Sequence, residues 1–407
     1  MQTRLADFIR DTPAGRTADS ILRTCVHCGF CNATCPTYLL LGNELDGPRG
    51  RIYLIKQALE GEPVGAHTQL HLDRCLTCRA CETACPSGVE YGHLLDIGRE
   101  VVEARAPRAA GARLARKFLR TWLPGSWFAP AVRIAQTLRP LLPAGLRRRI
   151  PARRAAGLRP VATHGRRVLM PPGCVQAALA PSINAATARV LDRLGIEVMQ
   201  PPARAGCCGA LRHHLGAPAA ALDDARRNID AWWPALEAGA EAIVLTASGC
   251  GAHVKDYGHL FAADPRYAGR ARRVSALARD ISEVVRDEVA ALAPQFRAMP
   301  GERIVVQSPC TLQHGQKLPG IVEGILAALG VAVLATPERQ LCCGSAGTYS
   351  MLEPQLAGEL RRRKLAALAA AGPDVILSAN IGCIAHLGAV ADTQVRHWIE
   401  WLDARLG

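Results

Sequence analysis

No apolar stretch in this 407-residue chain approaches the roughly 18 residues that a membrane span needs. The opening segment MQTRLADFIRDTP carries charges at Arg4, Asp7, Arg10 and Asp11 and lacks an apolar core, so it does not read as a secretory signal. No Gly-x-Gly-x-x-Gly follows a strand-like run, which leaves no evident dinucleotide site. Acidic residues are missing between positions 104 and 160, where fourteen Arg or Lys stand alone. That stretch equals the whole formal charge of +14. The rest of the chain is close to neutral, so the basicity is a local patch and no nucleic-acid partner is expected. With no secretory signal, the sixteen cysteines do not suit a disulfide scaffold, which is typically short and secreted. They read as thiols kept reduced for use as ligands, in a protein that is cytoplasmic or peripheral to a membrane. A hydrophobic content of 49% with 21% charged residues is ordinary for globular domains, and the length suggests two or three of them at roughly 150 residues each.

What is present is a cysteine phrase, twice: Cys25-x2-Cys28-x2-Cys31-x3-Cys35-Pro36 and Cys75-x2-Cys78-x2-Cys81-x3-Cys85-Pro86. This is the run of bacterial-type [4Fe–4S] ferredoxins. Three thiolates at i, i+3 and i+6 wrap three corners of a cubane, and the fourth, stopped by Pro, points away. In two-cluster ferredoxins that fourth Cys ligates the other cluster. The expectation is therefore two [4Fe–4S] clusters with crossed ligation: Cys25, Cys28, Cys31 and Cys85 on one, Cys75, Cys78, Cys81 and Cys35 on the other. Zinc ribbons share a lone CxxC, but two matched runs of four closed by Pro favour iron–sulfur.

Four units are expected along the chain. Residues 1–103 hold both runs between helices. Asp19-Ser20 look like a cap for a helix leading into Cys25, and 47–61 and 91–104 have a helical apolar rhythm. This unit resembles the helical ferredoxin domain of succinate dehydrogenase-type iron–sulfur subunits. Residues 104–160 form a basic arm interleaved with Phe118, Trp122, Trp127, Phe128 and many Leu, and broken by prolines. It suits either a solvated linker or an amphipathic segment lying on an anionic membrane face or docking a partner.

Residues 161–290 and 291–407 are two copies of one module. Cys174, Cys207, Cys208 and Cys250 recur as Cys310, Cys342, Cys343 and Cys383, at offsets of 136, 135, 135 and 133 residues. Strand-like runs precede these cysteines: 167–170, 196–199 and 242–246 in the first copy, 304–307, 331–334 and 375–378 in the second. Helix-like segments such as 183–195 and 320–330 fill the gaps, which implies mostly parallel sheets. Ligands collect at the carboxyl ends of such strands, so each module should gather four thiols at one rim. The fold class expected is α+β multidomain: a helical two-cluster ferredoxin domain followed by a duplicated α/β cysteine-rich module. The four thiols suit a zinc ion or a further iron–sulfur cluster. Gly209 and Gly344 after the Cys pairs lean towards the cluster, because Gly lets backbone N–H groups approach sulfide. His253 and His386, each three residues after the last Cys, are candidates for a further ligand, a proton donor or a helix-cap residue.

These modules resemble the cysteine-rich CCG domains of heterodisulfide reductase-type subunits, although that family's pattern ends in Cys-x2-Cys where this chain has Cys-x2-His. The order of all four elements resembles the iron–sulfur subunits of glycolate oxidase, anaerobic glycerol-3-phosphate dehydrogenase and lactate-utilisation systems. The phrases TCVHCGFCNATCPTYLLLGNELDGPRGRIYLI, CLTCRACETACPSGVEYGHLLDIGRE, PPGCVQ, CCGALRHHLG and CCGSAGTYS are most similar to the glycolate oxidase family. That resemblance implies an electron-transfer subunit with no catalytic residue of its own. FAD-containing partner subunits would oxidise glycolate to glyoxylate, and a membrane quinone on the inner membrane would receive the electrons. The alternatives are a lactate or glycerol-3-phosphate dehydrogenase subunit, a heterodisulfide reductase-like thiol reductase, and a zinc-stabilised scaffold.

Overall fold

The computed structural model describes residues 1–143, 145, 147 and 150–407. The N-terminal unit is helical, with its main helices at Pro13–Thr24, Pro48–Leu59, Ala66–Asp73 and Tyr91–Arg105. Ile21, Leu22, Ile55, Leu59, Leu94 and Leu95 meet in one core, and the two cysteine runs lie in the loops between these helices. Asp19-Ser20 do not cap a helix. Pro13 at the first helical position and Thr12, whose side chain accepts from Gly15 N–H, start it about two turns earlier. Asp19 instead takes Arg23 one turn on, at 2.7 Å.

Among the described residues the basic arm carries the helices Ala110–Trp122 and Phe128–Leu138. Pro130 lies in the first turn of the second, where its missing N–H costs nothing. The arm is anchored from its own side: Arg108 and Arg116 reach Asp73, and Gln136 donates to the Leu179 carbonyl at 3.3 Å. Among the described residues no helix is long and apolar enough to cross a membrane.

The cysteine-rich half contains strands β1 (Arg166–Leu169), β2 (Ile196–Met199), β3 (Ala242–Leu245), β4 (Ala278–Asp280), β5 (Ile304–Gln307), β6 (Val375–Ser378) and β7 (Gln394–His397). They form two sheets, ordered β2-β1-β3-β4 and β5-β6-β7, and every ladder is parallel. The run 331–334 makes only an isolated bridge, Val333 to Ile304. Its residues are half-buried or exposed on both faces, so a full strand there would bury little. The two sheets back onto one core, in which Val168 and Val244 of the first module pack with Ile304, Leu377, Trp398 and Trp401 of the second. Backbone crosses the same seam: Ser248 N–H donates to the Ala379 carbonyl at 3.2 Å, and His397 Nε2 donates to that of Thr246 at 3.0 Å.

Candidate iron–sulfur sites

The two N-terminal runs share an unusual backbone. His27 and Gly29 in the first, and Thr77 and Arg79 in the second, all have positive φ, between 53° and 86°. Left-handed residues flanking the middle cysteine curl the loop so that its thiols converge. Arg79 occupies a conformation that Gly29 takes freely, and its guanidinium is held by Asp256 at 2.8 Å.

Two cavities result. Cys25, Cys28, Cys31 and Cys85 line one, with Cys81 behind them. Cys35, Cys75, Cys78 and Cys81 line the other, together with Arg51, Arg79 and Tyr91. The fourth cysteine of each run therefore stands among the first three of the other. Cys28 is exposed, whereas Cys35, Cys78 and Cys81 are buried. Burial pushes the Cys78 and Cys81 thiols well above their ordinary range and Cys31 to about 11. Thiolates in these cavities thus need a cation to stabilise them, and the sulfur-only donor set suits iron–sulfur ligation.

In the cysteine-rich modules the thiols gather at the strand ends. Cys174 Sγ lies 3.5 Å from Cys207 Sγ, and Cys208 and Cys250 line one cavity with Gln176, Thr246 and Trp232. In the second module Cys310 and Cys342 are 3.8 Å apart, and Cys343 and Cys383 are 3.2 Å apart. All four of these are buried. The glycine after each pair is required by its surroundings. Gly209 has φ +95° and its Cβ would lie 2.8 Å from the Ala221 carbonyl; Gly344 has φ +86° and 2.6 Å to that of Ala357. Gly209 N–H also points at Cys207 Sγ, at 3.5 Å.

Among the described residues, the three donor atoms that approach within 4.8 Å of one another, the spacing a single ion needs, belong to Asp96, His213 and His214. No set of three cysteine sulfurs does so, although tetrahedral Zn²⁺ with bonds of about 2.3 Å would draw its thiolates that close. The two Cys-x2-His histidines diverge. His386 Nε2 donates to the Ala357 carbonyl at 3.3 Å. His253 is buried with Nε2 unpartnered, its ring 5.4 Å from that of His213, and burial with this neighbour holds it neutral, at about 3.

Sequence reasoning passed over several groups at these sites. Arg51 is 1% exposed and Lys364 is fully buried. Lys364 Nζ donates to the carbonyls of Glu338 and Arg339 at 3.0 and 3.1 Å; burial lowers its pKa, and the thiols of Cys343, Cys342 and Cys383 oppose that shift. The nearest sequence signal for Arg51 is its place in the apolar rhythm of the helix that separates the two runs. The second N-terminal cavity also abuts the second module: Leu76, Cys78 and Ala80 share an apolar cluster with Cys310, Leu341, Cys342 and Tyr349.

Residues 21–89 match the family model described as a 4Fe-4S dicluster domain, and residues 168–255 and 304–388 match that of a cysteine-rich domain. The chain is 54% identical over 408 residues to the glycolate oxidase iron–sulfur subunit of Escherichia coli (strain K12), covering 100% of this chain and 99% of that one. It is 31% identical to the probable glycolate oxidase iron–sulfur subunit of Bacillus subtilis (strain 168), over 91% of this chain and 89% of that one. Lactate utilization protein A 2 of Bacillus mycoides (strain KBAB4) is 28% identical over 55% of this chain and 93% of that one. The paired runs at one end, the doubled cysteine-rich module at the other and an end-to-end match make this chain a member of the glycolate oxidase iron–sulfur subunit family, the electron-transfer component of an oxidoreductase complex.

Proposed function

We propose that this chain carries electrons from FAD-containing glycolate oxidase subunits, which oxidise glycolate to glyoxylate, towards a membrane quinone. The observation that carries the reading is the sorting of the eight N-terminal cysteines into two cavities, each completed by the fourth cysteine of the other run. Cys25, Cys28, Cys31 and Cys85 would hold one [4Fe–4S] cluster, and Cys35, Cys75, Cys78 and Cys81 the other. When bound, such clusters supply one-electron redox chemistry. The protein fixes the thiolates, buries Cys35, Cys78 and Cys81 of the second cavity and leaves Cys28 of the first exposed. In each cysteine-rich module the four thiols would hold a further iron–sulfur centre; their gathering at the strand ends supports a shared site. The hydroxyacid chemistry would belong to the FAD-containing partner. We also infer a position at the inner face of the membrane, through the basic arm. Of the arm's arginines, Arg148 and Arg149 lie outside the described residues.

Anaerobically purified complex tests this reading. About eight irons and eight sulfides follow from the N-terminal runs alone, more if the modules are loaded, and glycolate should reduce the centres. Cys85→Ser should damage the centre of Cys25, Cys28 and Cys31. Centres that stay oxidised with glycolate, or damage confined to the centre of Cys75, Cys78 and Cys81, would overturn the electron route or the crossing respectively.

A further inference from the structure

Taking the two four-iron centres proposed above as given, we propose that Arg51 makes the centre of Cys35, Cys75, Cys78 and Cys81 the more oxidising of the pair, so that an electron shared between them rests there. Three levers set such a potential: net charge nearby, hydrogen bonds to the sulfurs, and exposure. The cavities differ in all three.

Arg51 is sealed inside the N-terminal unit. Its Nε donates to the His71 carbonyl at 2.7 Å, its Nη2 to Thr37 Oγ1 at 3.1 Å and its Nη1 to Cys35 Sγ at 3.8 Å. Its nearest carboxylate, Asp46, stands 3.7 Å away and is engaged elsewhere, by His71 at 2.9 Å and Arg74 at 3.0 Å. With Arg74 offsetting Asp46, the buried guanidinium of Arg51 stands beside Cys35 without a carboxylate of its own. Arg79 adds little here, being offset by Asp256 at 2.8 Å and Glu82 at 3.9 Å. The other cavity also has an arginine in its wall, Arg49, but that one is partly exposed and paired with Glu44 at 2.6 Å. Water and a counter-ion screen it.

Hydrogen bonds point the same way. Cys35 and Cys75 receive three donors: Arg51, the Thr77 N–H at 3.5 Å and the Tyr91 hydroxyl at 3.7 Å. The Thr37 hydroxyl is not a fourth, because its proton goes to the Asp46 carbonyl at 2.7 Å. At the first cavity, the corresponding donor is the Val89 N–H, 3.5 Å from Cys85 Sγ. Burial opposes both effects, since added negative charge is harder to hold away from water. It also removes the water that would screen Arg51, so the guanidinium acts at close range through a low-dielectric interior. A fixed cation at hydrogen-bond range to a ligand sulfur outweighs the lost solvation, and the buried centre becomes the sink. It is also the centre that abuts Cys310 and Cys342 of the second module, where an electron would leave.

Potentiometric titration followed by EPR on the anaerobically purified complex tests this, with Cys35→Ser and Cys28→Ser assigning each midpoint to its cavity. In the unmodified protein the more positive midpoint should be the one that Cys35→Ser moves. Arg51→Met should shift that midpoint to lower potential and leave the other in place, while Arg51→Lys, which keeps the charge, should retain most of it. The proposal is overturned if Cys35→Ser moves the lower midpoint, or if Arg51→Met shifts neither or only the other. Should Arg51→Met fail to load iron, the assignment in the unmodified protein still decides. Absence of cubane signals altogether, with iron below eight per chain, would instead sink the two-cluster reading.

Discussion

Gly344 shows how tightly a single position can be constrained beside these centres. Its left-handed φ of +86° is one demand, and a carbonyl 2.6 Å from where a Cβ would sit is another. A left-handed L-residue costs roughly 1–2 kcal/mol, and overpacking adds about 1–3 kcal/mol. Gly344→Ala should therefore lose stability on that combined scale and disturb the adjoining Cys342-Cys343 pair. Gly324, inside the helix Ile321–Ala328, provides the control: nothing lies within 4 Å of its Cβ position. Gly324→Ala should gain about 0.5–1 kcal/mol. Thermal unfolding with iron analysis of both variants checks this, and equal behaviour would show that backbone strain is not the constraint. At this scale the first three cysteines of each run are legible from their local spacing, whereas the fourth reaches its place only through the fold. Arg51 and Lys364 are not legible, because their partners (Thr37, Asp46 and His71, or Glu338 and Arg339) are close only once the chain has folded.

Among the elements, the helix Ala110–Trp122 is turned in an unexpected sense. Arg108 just before it and Arg116 within it face inward to Asp73, while Leu114 and Phe118 are 68% and 57% exposed. Trp122 continues that stripe at i+8, stacked on Phe118 with centroids 5.7 Å apart. Arg113 and Lys117 flank it, also exposed. Exposed apolar residues bordered by cations suit the interface of an anionic bilayer. The double change Leu114→Glu with Phe118→Glu should leave stability within about 0.5 kcal/mol, since these side chains are mostly exposed. It should reduce sedimentation with vesicles containing anionic lipid, and binding of the unmodified protein should weaken as salt rises. Unchanged sedimentation would leave the stripe to a protein partner. Sequence periodicity located most strands, but it gave this stretch only as a linker or amphipathic segment and missed β4 and β7. Ala278–Asp280 and Gln394–His397 are short and largely polar, and only the parallel neighbours β3 and β6 make them strands. The converse error at 331–334 has the same origin: a short apolar run does not reveal whether a neighbouring surface exists for it to cover.

For the whole molecule, the decisive fact is that the modules do not stand in series. A period of about 135 residues suggests two beads joined by a string, yet Trp398, Ile399 and Trp401 of the second module lie in one core with Val168, Val190 and Val244 of the first. The N-terminal unit is pinned to both, through Arg79 to Asp256 at 2.8 Å in one and through Thr83 to His314 at 2.9 Å in the other. The Tyr349 hydroxyl adds a bond to the Arg74 carbonyl at 3.2 Å. Electron transfer benefits from such rigidity, because the separation between centres is then fixed by packing and not by diffusion. Rigidity of this kind predicts shared stability. Trp398 is fully buried, and Trp398→Ala should cost about 3–5 kcal/mol. Hydrogen exchange on the loaded complex should register that loss in β3 and β6 together, because elements that share a core open as one cooperative unit. Deprotection confined to β6 would mean that the modules open independently and that their common core is only a contact surface. Loss of protection in both sheets, with the N-terminal helices unaffected, would place the cooperative boundary between the ferredoxin unit and the fused pair.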